Sequence, residues 1–225
     1  MSAKLILLRH GQSIWNQKNL FTGWVDIPMS EEGIKEAMEA GKKLEEVEID
    51  VVFTSSLIRA QMTVPLVLLH HKSGKVPLFL HPGEGKLEEW GGIYSEETRR
   101  ELIPVFCAWE LNERMYGKLQ GLGKEEMAKK YGAEQVQIWR RSFNGRPPEG
   151  ESLEMTAART LPYFKTRIVP HLEKGESVLV CAHGNSLRSI LMHLENLSGE
   201  EVANLEVATG LPIIYSYRNG RYDLS

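Results

Sequence analysis

Leu5-Ile6-Leu7-Leu8-Arg9-His10-Gly11 is the stretch that decides how the chain reads. Four consecutive apolar residues stop at a basic pair and a glycine. The run is too short for a helix and does not alternate, so it describes a strand buried on both faces. Such a strand needs cover on both sides, and the flanking sequence offers helices. Ser30 can cap a helix whose first turn carries Glu31 and Glu32, favourable at the positive end of the dipole. Ile34, Ala37, Met38 and Leu44 follow at helical spacing, and that helix ends near Val47. Val51–Thr54 is a second apolar run, followed by Ser55-Ser56 and a helix from about Leu57 that Pro65 should kink or end. Val178–Ala182 is a third, ending in His183-Gly184-Asn185, with a helix from Ser186 to Leu197. Strand and helix alternate, which predicts an α/β fold: three layers, with a mostly parallel central sheet flanked by helices.

Between these anchors the pattern is uneven. From 72 to 110, glycines and mixed charges predict an irregular insertion, with short helices around Ser95 to Leu102. Lys124–Tyr131 and Glu134–Phe143 read as helices, and Arg146–Gly150 as a loop. A long helix from Ser152 to Leu172 should kink at Pro162. Ser198 and Glu201 have capping-box spacing for a short last helix. Leu211–Tyr217 and Tyr222–Leu224 flank Asn219-Gly220, a hairpin turn signal. Without a Pro/Ser-rich linker or an internal repeat, a single domain over 1–225 is expected.

Bulk properties narrow the class. Hydrophobic residues at 42% and charged residues at 25% exclude a disordered chain. A formal net charge of −3 gives no polyanion-binding surface, so no nucleic-acid partner is expected. Two cysteines, Cys107 and Cys181, are too few for a disulfide scaffold, and no Cys/His set has metal spacing. The N-terminal apolar run is too short for a signal-peptide core and nothing approaches a membrane span, so a cytoplasmic protein with no membrane partner is expected.

The chemistry concentrates at three strand-to-helix junctions, which deliver Arg9 and His10, then Arg59, then His183. In open α/β sheets, ligands sit beyond the carboxyl ends of the strands, so these distant residues can share one pocket. Two strands each ending in a His-Gly pair is the unusual feature. Glycine there permits a tight turn and close approach of a ligand to backbone N–H groups. A neutral imidazole is a good nucleophile toward phosphorus. Phosphoryl transfer needs neutralised equatorial oxygens, and the guanidinium fork supplies that. His70, His71, His81, His171 and His193 read as ordinary surface or core histidines. On spacing alone Arg140-Arg141 is a solvated helix face and Glu113 a surface ion-pair partner. No GxxxxGK[ST] or GxSxG string is present.

Leu8-Arg9-His10-Gly11-Gln12-Ser13 resembles the defining motif of the histidine phosphatase superfamily. The strings Trp15–Asp26, Leu111–Gly117, Leu119–Gly121, Trp139–Ser142, Gly150–Ser152, Ala182–Arg188 and Ala208–Pro212 resemble its cofactor-dependent phosphoglycerate mutase branch, in the branch's order along the chain. The resemblance implies a phosphoglycerate mutase-like fold and interconversion of 3-phosphoglycerate and 2-phosphoglycerate, primed by 2,3-bisphosphoglycerate and without a metal. It makes His10 the phosphorylated residue, with Arg9, Arg59 and His183 around the transferred group and Glu113 as general acid/base. Asn16 and Gly184 would contact phosphoryl oxygens. Ser13, Thr22, Gly23, Arg114, Tyr116, Lys124, Arg140, Arg141 and Asn185 would line the rest of the substrate site. It also implies a homodimer or higher homo-oligomer.

Three departures stand out. The segment between Arg59 and Glu113 is longer than in common members, and that between Phe143 and Gly150 is shorter. The chain stops at Ser225, where many members carry a tail that closes over the pocket. A poorly sealed phosphohistidine hydrolyses, so mutase and phosphatase activity are expected to be less well separated here.

Overall fold

Alternate residues of the first strand, β1 (Ala3–Arg9), serve two different cores. Leu5 and Leu7 pack with Val51, Phe53, Val178, Val180, Phe164, Leu187 and Ile190, whereas Ile6 and Leu8 pack with Ala40, Leu44, Val64, Val67, Leu179 and Cys181. The computed structural model describes residues 2–225. After β1 come α1 (Ile14–Gln17), α2 (Glu31–Lys43), β2 (Val51–Thr54), α3 (Ile58–Leu68), β3 (Val76–Leu80), α4 (Lys86–Trp90), α5 (Glu96–Arg100) and β4 (Leu102–Cys107). Then follow α6 (Lys124–Tyr131), α7 (Ala133–Arg141), α8 (Leu153–Tyr163), α9 (Val169–Glu173), β5 (Val178–Ala182), α10 (Gly184–Leu194), α11 (Gly199–Asn204), β6 (Ile213–Arg218) and β7 (Arg221–Leu224). The strands form one seven-stranded sheet ordered β3-β4-β2-β5-β1-β6-β7. The first five of these neighbours pair in parallel, while β6 is antiparallel to both β1 and β7. Helices cover both faces, so the three-layer, mostly parallel α/β expectation holds. No helix among the described residues is long and apolar enough to cross a membrane.

The segment 72–110 differs from its expectation. Rather than an irregular insertion, it supplies β3 and β4, which extend the parallel sheet to its edge. Pro77 and Pro104 hid them, since proline cannot donate to a ladder. Pairing of β4 with β2 begins at Val105, one residue beyond Pro104, and β3 is the edge strand. Pro65 does not end α3, which runs on to Leu68. Its ring lies on the exposed side of the helix, where water can take the carbonyl it leaves unpaired. The long helix expected to Leu172 runs without a gap from Leu153 to Glu173, and two residues after Pro162 it widens into a π turn at Phe164–Ile168 before continuing as α9. The hairpin turns at Asn219 and Gly220, with φ of 49° and 80°.

A smaller apolar cluster of Phe21, Leu119, Met127, Val136 and Trp139 sits apart from the two sheet cores. It anchors α6 and α7, and with them Lys124, Arg140 and Arg141.

Candidate active site

Because β5 lies between β2 and β1, the carboxyl ends of these three strands are neighbours. Register puts Arg9 beside Ala182 and Thr54 beside Cys181. His10, Ser55 and His183 therefore emerge at one level. The two imidazoles meet edge-on, with ring centroids 4.8 Å apart.

His10 is almost fully buried. Its Nδ1 lies 2.6 Å from the Gly11 carbonyl oxygen. A carbonyl only accepts, so Nδ1 carries the proton and Nε2 the lone pair. Arg59 Nε donates to that Nε2 at 3.3 Å. Burial first, then the charges of Arg59 and Arg9, hold the imidazole well below its ordinary range, against the pull of the Gly11 carbonyl. The ring is neutral at pH 7, the form a nucleophile needs. Arg59 itself is locked: Nη2 donates to Gly23 O at 2.7 Å and Nη1 to Val25 O at 3.0 Å. Burial lowers its pKa only to about 10, so its charge persists.

His183 is fully buried, and its Nε2 lies 2.7 Å from Ser55 Oγ. Ser55 Oγ already accepts the Leu57 N–H at 3.1 Å, and His183 Nε2 is the acceptor within reach of its own proton. With Ser55 as the donor, the proton of His183 is assigned to Nδ1, which has no partner among the described residues.

Glu113 follows a 3₁₀ turn at Trp109–Leu111. Arg159 on α8 clamps this loop, with Nη1 donating to Glu110 O at 2.8 Å and Asn112 O at 3.0 Å, and Nη2 to Glu113 O at 3.0 Å. Glu151 pairs with Arg159 at 2.9 Å, and Trp24 Nε1 donates to the same Glu113 carbonyl at 2.5 Å. The Glu113 carboxylate is held by one oxygen. Oε1 accepts from Arg114 N at 2.7 Å, Asn185 N at 3.1 Å and Asn185 Nδ2 at 2.8 Å. The Asn185 N–H belongs to the first turn of α10, where the helix dipole favours a carboxylate. Burial would raise the pKa of Glu113, but the Arg114 N–H, Arg9, Asn185 and Arg59 together outweigh it and keep the group ionised.

A cavity opens above these groups. Of the residues expected at the site, Arg9, His10, Asn16, Thr22, Gly23, Arg59, Glu113, Tyr116, Lys124, Arg140, Arg141, Gly184 and Asn185 line it. Three do not. His183 stands edge-on beside His10. Ser13 caps α1, accepting the Asn16 N–H at 3.1 Å, while Asn16 Oδ1 accepts the Ser13 N–H and leaves its Nδ2 to offer. Arg114 is buried, stacked against Tyr116 and donating to its hydroxyl at 2.8 Å. Arg188 lines the cavity and was not singled out from the sequence, although it lies one helical turn from Asn185 in the quoted Ala182–Arg188 string. Ser55 and Arg159 were also missed. Ser55 is the register neighbour of His183 once β2 and β5 are paired, whereas nothing in the sequence marks Arg159.

The cavity wall carries six cationic side chains, Arg9, Arg59, Lys124, Arg140, Arg141 and Arg188, against one carboxylate, Glu113. This crowding and burial lower Lys124 to about 8, with burial the larger cause and Arg140 next. Six buried side-chain polar atoms among the described residues lack a partner, and five belong to this region: Arg9 Nε, Thr22 Oγ1, Arg114 Nε, Arg141 Nη1 and His183 Nδ1. All five can donate a hydrogen bond. Buried donors are normally paired, so their clustering marks a place built for an anion rich in acceptor oxygens.

A profile of the histidine phosphatase superfamily (branch 1) matches residues 5–109 and 93–225. The chain is 64% identical over 219 residues to the 2,3-bisphosphoglycerate-dependent phosphoglycerate mutase of Protochlamydia amoebophila (strain UWE25), covering 97% of each. It is 53% identical over 220 residues to 2,3-bisphosphoglycerate-dependent phosphoglycerate mutase 2 of Arabidopsis thaliana, covering 98% of this chain and 66% of that protein. Among solved structures, Bacillus stearothermophilus YhfR shares the fold with a TM-score of 0.76 at 22% identity, over 100% of this chain and 96% of that one. The chain belongs to the histidine phosphatase superfamily and, within it, to the family of the 2,3-bisphosphoglycerate-dependent phosphoglycerate mutases.

Proposed function

We propose that the chain interconverts 3-phosphoglycerate and 2-phosphoglycerate through a phosphohistidine at His10. The observation that carries this reading is the set of unpartnered buried donors gathered around one neutral imidazole and one ionised carboxylate. That donor set suits 2,3-bisphosphoglycerate, which supplies the phosphoryl group that first loads His10.

His10 Nε2 is the phosphoryl acceptor, its lone pair directed by the Gly11 carbonyl on the opposite nitrogen. Arg9, Arg59 and the His183 Nδ1–H neutralise the equatorial oxygens during transfer. Glu113 Oε2 takes the hydroxyl proton of the bound monophosphoglycerate as that oxygen attacks the phosphorus on His10 and the Nε2–P bond breaks to leave the neutral imidazole, because Oε1 is filled by three N–H donors. After the bound glycerate turns over in the pocket, His10 accepts the other phosphoryl group and Glu113 returns the proton. Asn16 and Gly184 contact the phosphoryl oxygens, and Thr22, Gly23, Tyr116, Lys124, Arg140, Arg141 and Asn185 hold the carboxylate and the distal phosphate. Ser13 and Arg114 act behind this wall, by capping α1 and by bracing Tyr116. The same reading assigns the enzyme to the cytoplasm, to glycolysis and gluconeogenesis, and to a homo-oligomeric assembly without nucleic-acid or membrane partners.

The test is formation of 2-phosphoglycerate from 3-phosphoglycerate, with and without 2,3-bisphosphoglycerate, alongside trapping of acid-labile phosphate on the protein. Wild type should depend on priming and carry label, whereas His10→Ala should do neither. Phosphate release that gains nothing from priming would instead identify a phosphatase.

A further inference from the structure

Arg188 is the cavity-lining cation with no place in the scheme above. It is 9% exposed and is tied at two points. Nε donates to Leu205 O at 2.6 Å, and Nη1 donates to Asn185 Oδ1 at 3.2 Å. The second contact matters because of what the other end of that amide does. Asn185 Nδ2 donates to Glu113 Oε1 at 2.8 Å. An asparagine amide is nearly symmetric in shape and can present either end. Here a guanidinium, which only donates, faces one end, and a carboxylate oxygen, which only accepts, faces the other. Each neighbour admits the same orientation, and together they exclude the flipped one.

We infer that Arg188 is a positioning residue: it locks the Asn185 amide so that Glu113 is gripped through Oε1 and works through Oε2. This rests on the assignment of Glu113 as the acid/base. Oε2 lies on the side of Gly184 and Arg9: a Cβ built at Gly184 would stand 3.7 Å from Oε2 and 3.7 Å from the Arg9 guanidinium. Without Arg188 the Oδ1 end of the amide has no donor to hold it, so the side chain can rotate and weaken its Nδ2 bond to Oε1. Glu113 would then lose a donor and swing away from the substrate hydroxyl. A buried hydrogen bond to a charged group acts only when both partners keep their geometry. The lock spans one helical turn, Asn185 to Arg188, so it needs no change elsewhere in the fold.

A double-mutant cycle separates this role from two simpler ones, a plain substrate contact and a plain contribution to folding. Steady-state mutase kinetics are measured for Arg188→Met, Asn185→Ala and the double variant, with thermal melting as a check that each folds. Positioning predicts that Arg188→Met lowers kcat by about 10-fold in the wild-type background, the order expected for a lost charge-assisted hydrogen bond. In the Asn185→Ala background the same change should alter kcat by less than about 2-fold. Any rise in KM from the lost charge should be the same in both backgrounds. Additive effects on kcat, or a change confined to KM, would overturn the inference, and so would a kcat loss that follows the melting temperature. Glu113→Gln, measured alongside, keeps the two levels apart. If it leaves kcat intact, the acid/base assignment itself fails. If it abolishes turnover while the cycle is additive, only the role of Arg188 fails.

Discussion

The two strand–His–Gly junctions look alike in sequence, yet they are built differently. Gly11 is pressed between elements: a Cβ there would lie 2.0 Å from the Gly33 carbonyl oxygen of α2. Glycine is needed at this point because two backbones touch, not to admit a ligand. Gly184 opens α10, and a Cβ there would meet nothing nearer than 3.7 Å. The imidazoles diverge as well. Both carry their proton on Nδ1, but His10 spends that proton on a backbone carbonyl and keeps Nε2 for chemistry. His183 spends Nε2 on Ser55 and keeps an N–H without a partner. The strand end sets where each ring stands, while the hydrogen-bond partner sets which nitrogen can act, as acceptor or as donor.

The largest effect should separate these roles directly. On the proposed mechanism His10→Ala removes the phosphoryl acceptor and should lower kcat by at least about 10⁴-fold. On the same mechanism His183→Ala removes one donor to the transferring group and should cost about 10²–10³-fold. Equal losses, or a phosphoenzyme that still forms in His10→Ala, would break the division of labour.

The glycines come next. Gly11→Ala forces α2 off the sheet and should destabilise by about 3 kcal/mol, lowering Tm by about 6–12 °C for a chain of this size. Gly184→Ala should leave Tm nearly unchanged, because its space is open, while crowding the pocket and raising KM. Denaturant and thermal unfolding of both variants check the contrast; matching melting temperatures would defeat it.

Apolar runs ending in Arg9-His10, Ser55 and His183 marked the strand ends, because burial on both faces leaves a mark in consecutive residues. The cations of α6 and α7 came only through motif resemblance, since two adjacent arginines on a helix usually face water. β3 and β4 were lost behind Pro77 and Pro104, whose missing donors fall where the ladder does not need them. Ser55, Arg159 and Arg188 act by holding carbonyls, an amide or a ring in distant segments. Arg159 reaches carbonyls 46 to 49 residues away, and no periodicity records such a contact. Arg188 alone carried a local signal, its helical spacing from Asn185.

Both imidazoles are neutral and buried, which makes stability depend on pH. His10 and His183 are lowered first by burial and then by nearby cations, Arg59 foremost. In the unfolded chain each would titrate near its ordinary value of about 6.5. Their contribution is therefore intact above pH 6.5 and is lost as pH falls, because the unfolded state takes up protons that the folded state refuses. The slope is about 1.4 kcal/mol per pH unit for each histidine. Urea unfolding from pH 7.5 to 5 should show this decline, and His10→Gln should remove about half of it. An unchanged slope in that variant would mean that His10 is protonated in the folded protein.

The smallest effect tests the tautomer of His183. Ser55→Ala removes the hydroxyl whose proton occupies Nε2, so the ring is free to carry its hydrogen on either nitrogen. When the hydrogen sits on Nε2, Nδ1 offers a lone pair to phosphoryl oxygens and repels them. We expect kcat to fall by about 10-fold, the size of one buried hydrogen bond's effect on geometry. Ser55→Thr, which keeps a hydroxyl, should restore most of it. Nitrogen NMR of the ring gives an independent reading: wild type should show protonation at Nδ1, and Ser55→Ala a mixture. Finding the wild-type proton on Nε2 would make Ser55 the acceptor and leave its own hydroxyl hydrogen unpaired in a buried site. His183 would then present the same face to the phosphoryl group as His10 does, and the contrast between the two junctions would reduce to their glycines.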